Sequence, residues 1–452
     1  MSDDLMGYRG RTRDLLSTAG LRVGDVVRIV KGESIFEGTL MPRYELADER
    51  HIVVKLESGY NVGVEVTPQI AVERIGEGSK PTFLPASPPP AQAGLPNVVI
   101  ISTGGTIASR IDYQTGGVHP ALSASDLLNC IPELADIANV HTEILYSLLS
   151  ENIQVPHWVK LAERVSAHIA SGTQGVVISH GTDTIAYTAA ALSFALHDLP
   201  VPVILVGSQR SSDRPSSDAV LNLVNAVRAA SHVDVAEVMI GMHETVADTE
   251  TVLHRGTKVR KCHTSRRDAF RSINATPVAR VSSKEITLLT QDYTRRNPTR
   301  HLTLKPKFEE KVTLLKSHPG LNAELIDFYV DHGYRGIVLE GTGLGHVGEY
   351  LFPSVQRAVD AGLLVCMTSQ CLWGRVNMSV YQTGRHLQRM GVLPLGDMLP
   401  ETALVKLMWC LGQTNEPPAA RRLMMTNVAR EITGRTAFEE GGDWPSTMNA
   451  SG

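Results

Sequence analysis

The chain has 452 residues, 42% of them hydrophobic and 20% charged, with a formal net charge of −4. That is too long for one compact core, too apolar for a disordered chain, and too acidic overall to hold a nucleic-acid backbone or an anionic membrane through a global field. The cysteines, Cys130, Cys262, Cys366, Cys371 and Cys410, are odd in number and never spaced C-x-x-C, which predicts buried or idle thiols rather than disulfides or a zinc site.

The first residues, MSDDLMGYRG, lack the basic flank and apolar run of a targeting segment, and Thr184 to Ala195 is too short to cross a bilayer. A soluble cytoplasmic protein with no membrane contact is expected. From Leu21 to Val66 short β-branched runs are broken by Gly, Asp and Pro, which predicts a small β-barrel module within residues 1–78. Residues 79–94 form a proline-rich linker, because Pro81, Pro85, Pro88, Pro89 and Pro90 deny it both helix continuation and strand donors.

Beyond the linker the period changes. Apolar runs at 98–102, 175–179 and 201–207 alternate with helical stretches at 155–170, 188–198 and 217–230, the signature of βαβ units and a parallel sheet covered on both faces. Residues 95–290 therefore make a larger α/β domain and 291–311 a connecting segment. Residues 312–435 make a smaller α/β domain, with strands at 311–317, 336–343 and 363–370 and a helix from Pro400. A flexible tail, 436–452, closes the chain.

Two strand ends carry candidate chemistry. The first runs Ser102-Thr103-Gly104-Gly105-Thr106-Ile107, the second Ser179-His180-Gly181-Thr182-Asp183-Thr184. Open α/β sheets bind ligands at carboxyl ends of parallel strands, and Gly104 and Gly105 would let backbone N–H groups approach a substrate oxygen. Alone, a Gly-Gly pair after a strand is ordinarily a turn. Thr182 next to Asp183 puts a hydroxyl and a carboxylate at one crevice, although either could be the N-cap of the helix that follows. A threonine hydroxyl needs a neighbour to take its proton. His180 reads as a histidine packed beside the strand end. No cluster of His, Cys and Asp at ligand spacing suggests a metal.

LPNVVIISTGGTIAS (95–109) and VVISHGTDT (176–184) resemble, in order and spacing, the two signature stretches of the L-asparaginase family. The likeness continues through TKVRKCHTSRRDAFRSIN (257–274), where Lys261 falls on the family's catalytic lysine, and covers Leu95 to Gly412. It implies an amidase: Thr106 attacks a side-chain amide and forms an acyl-enzyme that water cleaves, while Thr182, Asp183 and Lys261 handle protons. A lysine acts as a base only when neutral; Arg260, Arg266 and Arg267 would favour that form and Asp183 would oppose it. The resemblance also places Ser150 and Glu151 at the substrate's α-amino and α-carboxylate groups, with Glu151 where glutamine is common, and Gly105 beside the substrate. Tyr113 does not match the family's tyrosine offset and stays outside the assignment.

Simple asparaginases lack the N-terminal module. Together with the linker and GDMLPETALVKL (396–407), it makes the chain similar to the branch of the family that serves archaeal glutamyl-tRNA(Gln) amidotransferases. This implies that ammonia from glutamine or asparagine passes to a partner, the E subunit of such an enzyme, which would bind Glu-tRNA(Gln), use ATP and Mg²⁺, and amidate it. The chain itself has no P-loop and no cofactor is expected in it. A homodimer carrying two copies of the partner is implied. The basic residues Arg255, Lys258, Arg260, Lys261, Arg266, Arg267 and Arg271 read as a hydrogen-bonded loop around the site rather than an RNA surface. The competing readings are a stand-alone asparaginase or glutaminase with an accessory domain, and a dead amidase fold kept as a scaffold.

Overall fold

The computed structural model describes residues 5, 7–43, 48–56, 61–76, 92–104, 109–111, 118–120, 131–210 and 217–435. Most of the expected linker and the whole expected tail lie outside the described residues, as does Cys130. The chain divides into two compact units, Met1–Ser272 with Thr276–Pro306, and Ile273–Ala275 with Lys307–Gly452.

The N-terminal module begins with helix α1, Gly10–Thr18. Strands β1 (Val26–Lys31), β2 (Ser34–Leu40), β3 (His51–Leu56), β4 (Asn61–Glu65) and β5 (Ala71–Gly76) then form an antiparallel sheet in the order β4-β3-β2-β1-β5. In β1, Val27 and Ile29 face inward while Val26, Arg28 and Val30 face out, the period-two pattern of a sheet covered on one side. Leu16, Leu21, Leu40, Ile52, Val54 and Val64 complete the core. The phenol of Tyr8 donates to Met41 O at 2.8 Å and accepts from Val53 N at 3.0 Å, so the segment before α1 is stitched to the sheet. Helix α1 escapes sequence reading because Leu15 and Leu16 are its only large apolar residues, too few to mark a helical period.

In the rest of the first unit, strands β6 (Asn97–Ser102), β7 (Asn139–Ile144), β8 (Gly175–Ser179), β9 (Val203–Val206), β10 (Val238–His243) and β11 (Glu250–Arg255) are followed by a hairpin, β12 (Val259–Lys261) and β13 (Phe270–Ser272). Strands β14 (Ala279–Ser282) and β15 (Ile286–Leu288) end the series. Helices α2 (Val155–Ala170), α3 (Ile185–Ala195) and α4 (Ala219–His232) connect the central strands. The eight-stranded sheet has the order β15-β14-β11-β10-β9-β8-β6-β7. From β7 to β10 it is parallel, as the βαβ pattern predicts. From β10 to β15 it is antiparallel, because residues 244–249 are too few for a crossover helix and the chain must turn straight back.

The central strands are buried along their length: Val98, Ile100, Val177, Ile204 and Val206 pack under Leu223, Ala226, Val227 and Ala230 of α4. Helix α3 runs from Ile185 rather than 188. It stops at Ala195 because Leu196 and His197 pair with Leu304 and Thr303, and Asp198 then takes a positive φ of 57°.

The second unit has four parallel strands in sequential order, β16 (Val312–Lys316), β17 (Gly336–Gly341), β18 (Leu364–Ser369) and β19 (Leu393–Pro394). Helices α5 (Glu324–Asp331), α6 (Phe352–Asp360), α7 (Gln382–Met390), α8 (Pro400–Gln413) and α9 (Pro417–Met425) accompany them. Strand β17 is buried throughout, as a strand covered on both faces must be. No helix among the described residues is long and apolar enough to cross a membrane.

Candidate active site

The direction of strand addition reverses between β6 and β8. The chain passes from β6 outward to β7, then returns to β8 on the other side and proceeds to β9 and β10. Such a reversal leaves a crevice at the carboxyl ends of the two neighbouring strands, and both threonine-bearing turns emerge there. Ser102 and Ser179 are register partners, their hydroxyls 3.2 Å apart. Thr103 donates to Ser179 O from its amide, at 3.1 Å, and from its hydroxyl, at 2.8 Å. Gly104 has φ +108°, and a β-carbon there would lie 2.3 Å from Leu148 O, so only glycine fits. The next residues, Gly105 and Thr106, lie outside the described residues, as does Tyr113.

The second turn is described in full. Its helix, α3, takes Thr184 as N-cap, and Thr184 makes no side-chain cap bond; its hydroxyl donates to Ser150 O at 2.7 Å. Thr182 and Asp183 are therefore not the capping residues. Both side chains turn to Lys261, whose Nζ donates to Thr182 Oγ1 at 2.8 Å and to Asp183 Oδ1 at 2.7 Å. The Lys261 side chain is 15% exposed and that of Asp183 69%, so the amine is sheltered while the carboxylate stays in water.

Lys261 arrives on the β12–β13 hairpin, where it pairs in register with the buried Phe270 and shares a face with the buried Val259. Charge pairs stiffen the hairpin's loop. Arg266 binds Asp268 through two bonds of 2.9 and 3.0 Å, Arg271 reaches the same carboxylate at 2.7 Å, and Arg267 binds Asp248 at 2.9 Å. Burial raises Asp268, but the Arg271 and Arg266 guanidiniums outweigh it and hold the carboxyl below its usual range. The charges of Arg266 and Arg267, expected to act on Lys261, are thus compensated locally. Arg255 and Lys258 are buried, and Arg255 pairs with Glu237 at 2.9 Å, so neither belongs to an exposed basic surface.

Ser150 and Glu151 lie on a short 3₁₀ turn, Ser150–Asn152, with Ser150 buried and Glu151 exposed. The backbone of Gly181 passes so close to Ser150 that a β-carbon there would stand 2.7 Å from Ser150 Cβ and 2.9 Å from its Oγ. The structure thus brings Ser150, Thr182, Asp183 and Lys261 to one end of the sheet. His180 is fully buried, and burial pushes it down to about 4, so it is a neutral, packed group. Of the described cysteines, Cys366 and Cys410 are buried, with burial raising the Cys410 thiol to about 12, and Cys262 and Cys371 are exposed.

Three family models match the chain: "Asparaginase, N-terminal" over residues 97–294, "Glutaminase/Asparaginase C-terminal domain" over 311–424, and "GatD N-terminal domain" over 21–75. The thermostable L-asparaginase of Thermococcus kodakarensis superposes with a TM-score of 0.67 at 34% identity; all of it is covered, but only 75% of this chain. L-asparaginase I of Vibrio cholerae gives 0.65 at 28% identity, over 75% of this chain and 99% of that one. The D subunit of glutamyl-tRNA(Gln) amidotransferase from Pyrococcus horikoshii is 51% identical over 95% of this chain and 99% of its own length. Its counterpart in Methanothermobacter thermautotrophicus is 51% identical over 96% and 99%. The chain belongs to the family of glutamyl-tRNA(Gln) amidotransferase D subunits. It is an enzyme of the asparaginase type with the family's extra N-terminal module, and a stand-alone asparaginase is the less supported reading.

Proposed function

We propose that the chain hydrolyses the side-chain amide of glutamine or asparagine and supplies ammonia to a partner protein that amidates Glu-tRNA(Gln). The supporting observation is the convergence of Lys261 on Thr182 and Asp183, from positions 78 and 79 residues apart in sequence. The attacking hydroxyl, assigned to Thr106 by the family resemblance, adds to the amide carbon. Its proton passes through the threonine–lysine pair to the leaving nitrogen, which departs as NH₃ and leaves an acyl ester on the threonine. Water adds to that ester, and the threonine takes a proton back as the carboxylic acid leaves. Lys261 takes part as a base in its neutral form, with Asp183 stabilising the ammonium it becomes. Ser150 and Glu151 hold the α-amino and α-carboxylate ends of the substrate, the exposed carboxylate of Glu151 meeting the ammonium directly.

Under this reading ATP and Mg²⁺ belong to the partner, the amidotransferase's E subunit, two copies of which bind a homodimer of this chain in the cytoplasm. The experiment is ammonia release by the full chain, alone and with the partner and Glu-tRNA(Gln). Turnover that rises on adding both supports the amidotransferase role. Full turnover in isolation, indifferent to either addition, favours a stand-alone amidase.

A further inference from the structure

We propose that His180 is a positioning residue for Thr182, holding the Gly181–Thr182 peptide at the end of a one-way chain of hydrogen bonds that starts at Trp158. This rests on the amidase reading above.

The donor and acceptor inventory sets the direction of every proton in the chain. His180 Nδ1 lies 2.7 Å from Gly181 O, and a carbonyl oxygen only accepts, so Nδ1 carries the ring proton. The buried ring is neutral, which leaves Nε2 as an acceptor. Thr188 Oγ1, 2.9 Å from Nε2, must then donate to it. The threonine oxygen remains free to accept, and it does so from Trp158 Nε1, a donor only, at 3.1 Å. The chain therefore runs Trp158 to Thr188 to His180 to Gly181 and links α2, α3 and the end of β8. The opposite ring tautomer would face a lone pair on Nδ1 against the carbonyl oxygen.

Gly181 O belongs to the peptide that enters Thr182. Fixing that peptide plane fixes the backbone rotation that aims the Thr182 hydroxyl. The other sides are already closed: Ser150 packs against the Gly181 α-carbon, and the Thr182 methyl lies over Gly207. His180 N also donates to Val206 O at 2.9 Å, which anchors its own backbone to the end of β9. Without the His180 bond the peptide could rotate, and a contact of 2.8 Å between Lys261 Nζ and Thr182 Oγ1 tolerates little movement. His180 bonds neither the Thr182 hydroxyl nor the Lys261 amine, so its influence is geometric.

The test compares His180→Leu, His180→Asn and Thr188→Val in the full chain, under conditions in which the wild type releases ammonia, with Lys261→Leu as control. His180→Leu is expected to lower kcat about 10- to 100-fold through misplacement, with KM and both limbs of the pH–rate profile unmoved. His180→Asn, whose amide nitrogen replaces the Nδ1 donor, should recover most of that kcat without recovering thermal stability. Thr188→Val should lower kcat by less, and the ¹⁵N spectrum of the wild type should show His180 protonated at Nδ1. Normal kcat in His180→Leu, failure of the asparagine variant to rescue a folded enzyme, a shifted pH limb, or an Nε2–H ring would each overturn the proposal. If His180→Leu does not fold, Thr188→Val and the ¹⁵N spectrum still decide it. Activity surviving in Lys261→Leu would instead sink the amidase chemistry itself.

Discussion

Two lysine–carboxylate pairs in this molecule are chemically alike and opposite in setting. Lys406 and Glu431 form an ion pair in which both side chains are 0% exposed. The Lys406 amine also donates to Met424 O at 2.8 Å and Thr426 O at 2.6 Å, and Glu431 accepts from the amides of Val428 and Ala429. Three donors meet three acceptors, and nothing is left for a substrate. Lys261 and Asp183 differ in each respect. The carboxylate is 69% exposed, the second acceptor is a threonine hydroxyl, and among the described residues the amine uses two of its three donors. A saturated, buried pair ties α8 to the segment after α9, whereas an unsaturated pair at a crevice can exchange a proton.

The contrast breaks first at Lys261. Lys261→Leu or Thr182→Val should lower ammonia release by about 10²- to 10⁴-fold, the usual worth of positioned acid–base help, while the thermal midpoint stays near that of the wild type. Activity within a few-fold of normal would show that the pair is ornamental. Lys406→Met should do the reverse, costing about 3–5 kcal/mol in denaturant unfolding because Glu431 is left buried and unpaired. Adding Glu431→Gln should return part of that loss, and a single variant as stable as the wild type would refute the account of the pair.

The same rule governs buried histidines. Among the described residues no carboxylate pairs with the fully buried His180 and His254, and burial pushes them down to about 4 and about 3; for His254 the nearby Arg271 adds to the effect. The unfolded chain binds both protons near pH 6.5, so between there and pH 4 it holds more protons than the folded chain. Stability should therefore fall as the pH drops through that window, by up to about 1.4 kcal/mol per pH unit for each histidine. His180→Asn should flatten the slope, which urea midpoints measured from pH 7 to pH 4 would reveal. The smallest effect belongs to Arg267→Gln, which cuts the tie to the half-exposed Asp248. It should cost no more than about 1 kcal/mol, and less at high salt.

Much of this was legible along the chain. The run at 175–179 is β8 and the helix at 155–170 is α2, residue for residue, because a Val/Ile run bounded by glycine and an apolar stripe at helical spacing are local signals. The turn carrying Thr182 and Asp183, which Lys261 reaches in the structure, stood out as a candidate for the same reason. Less local features were not. The antiparallel half of the large sheet depends on the brevity of residues 244–249, and the start of α3 depends on Thr184 giving its hydroxyl to Ser150 rather than to the helix. The basic stretch around Lys261 reads in sequence as a source of positive field, yet Asp248 and Asp268 sit on its arginines.

Residue order alone named the candidate side chains, since signature stretches and strand-end turns are encoded within a few neighbouring positions. Tertiary structure decided which of them meet. A hydroxyl at 182 and an amine at 261 come within 2.8 Å only because β8 and the β12–β13 hairpin are folded to the same end of one unit. Proton transfer decays over fractions of an ångström, a scale that spacing along a chain cannot set.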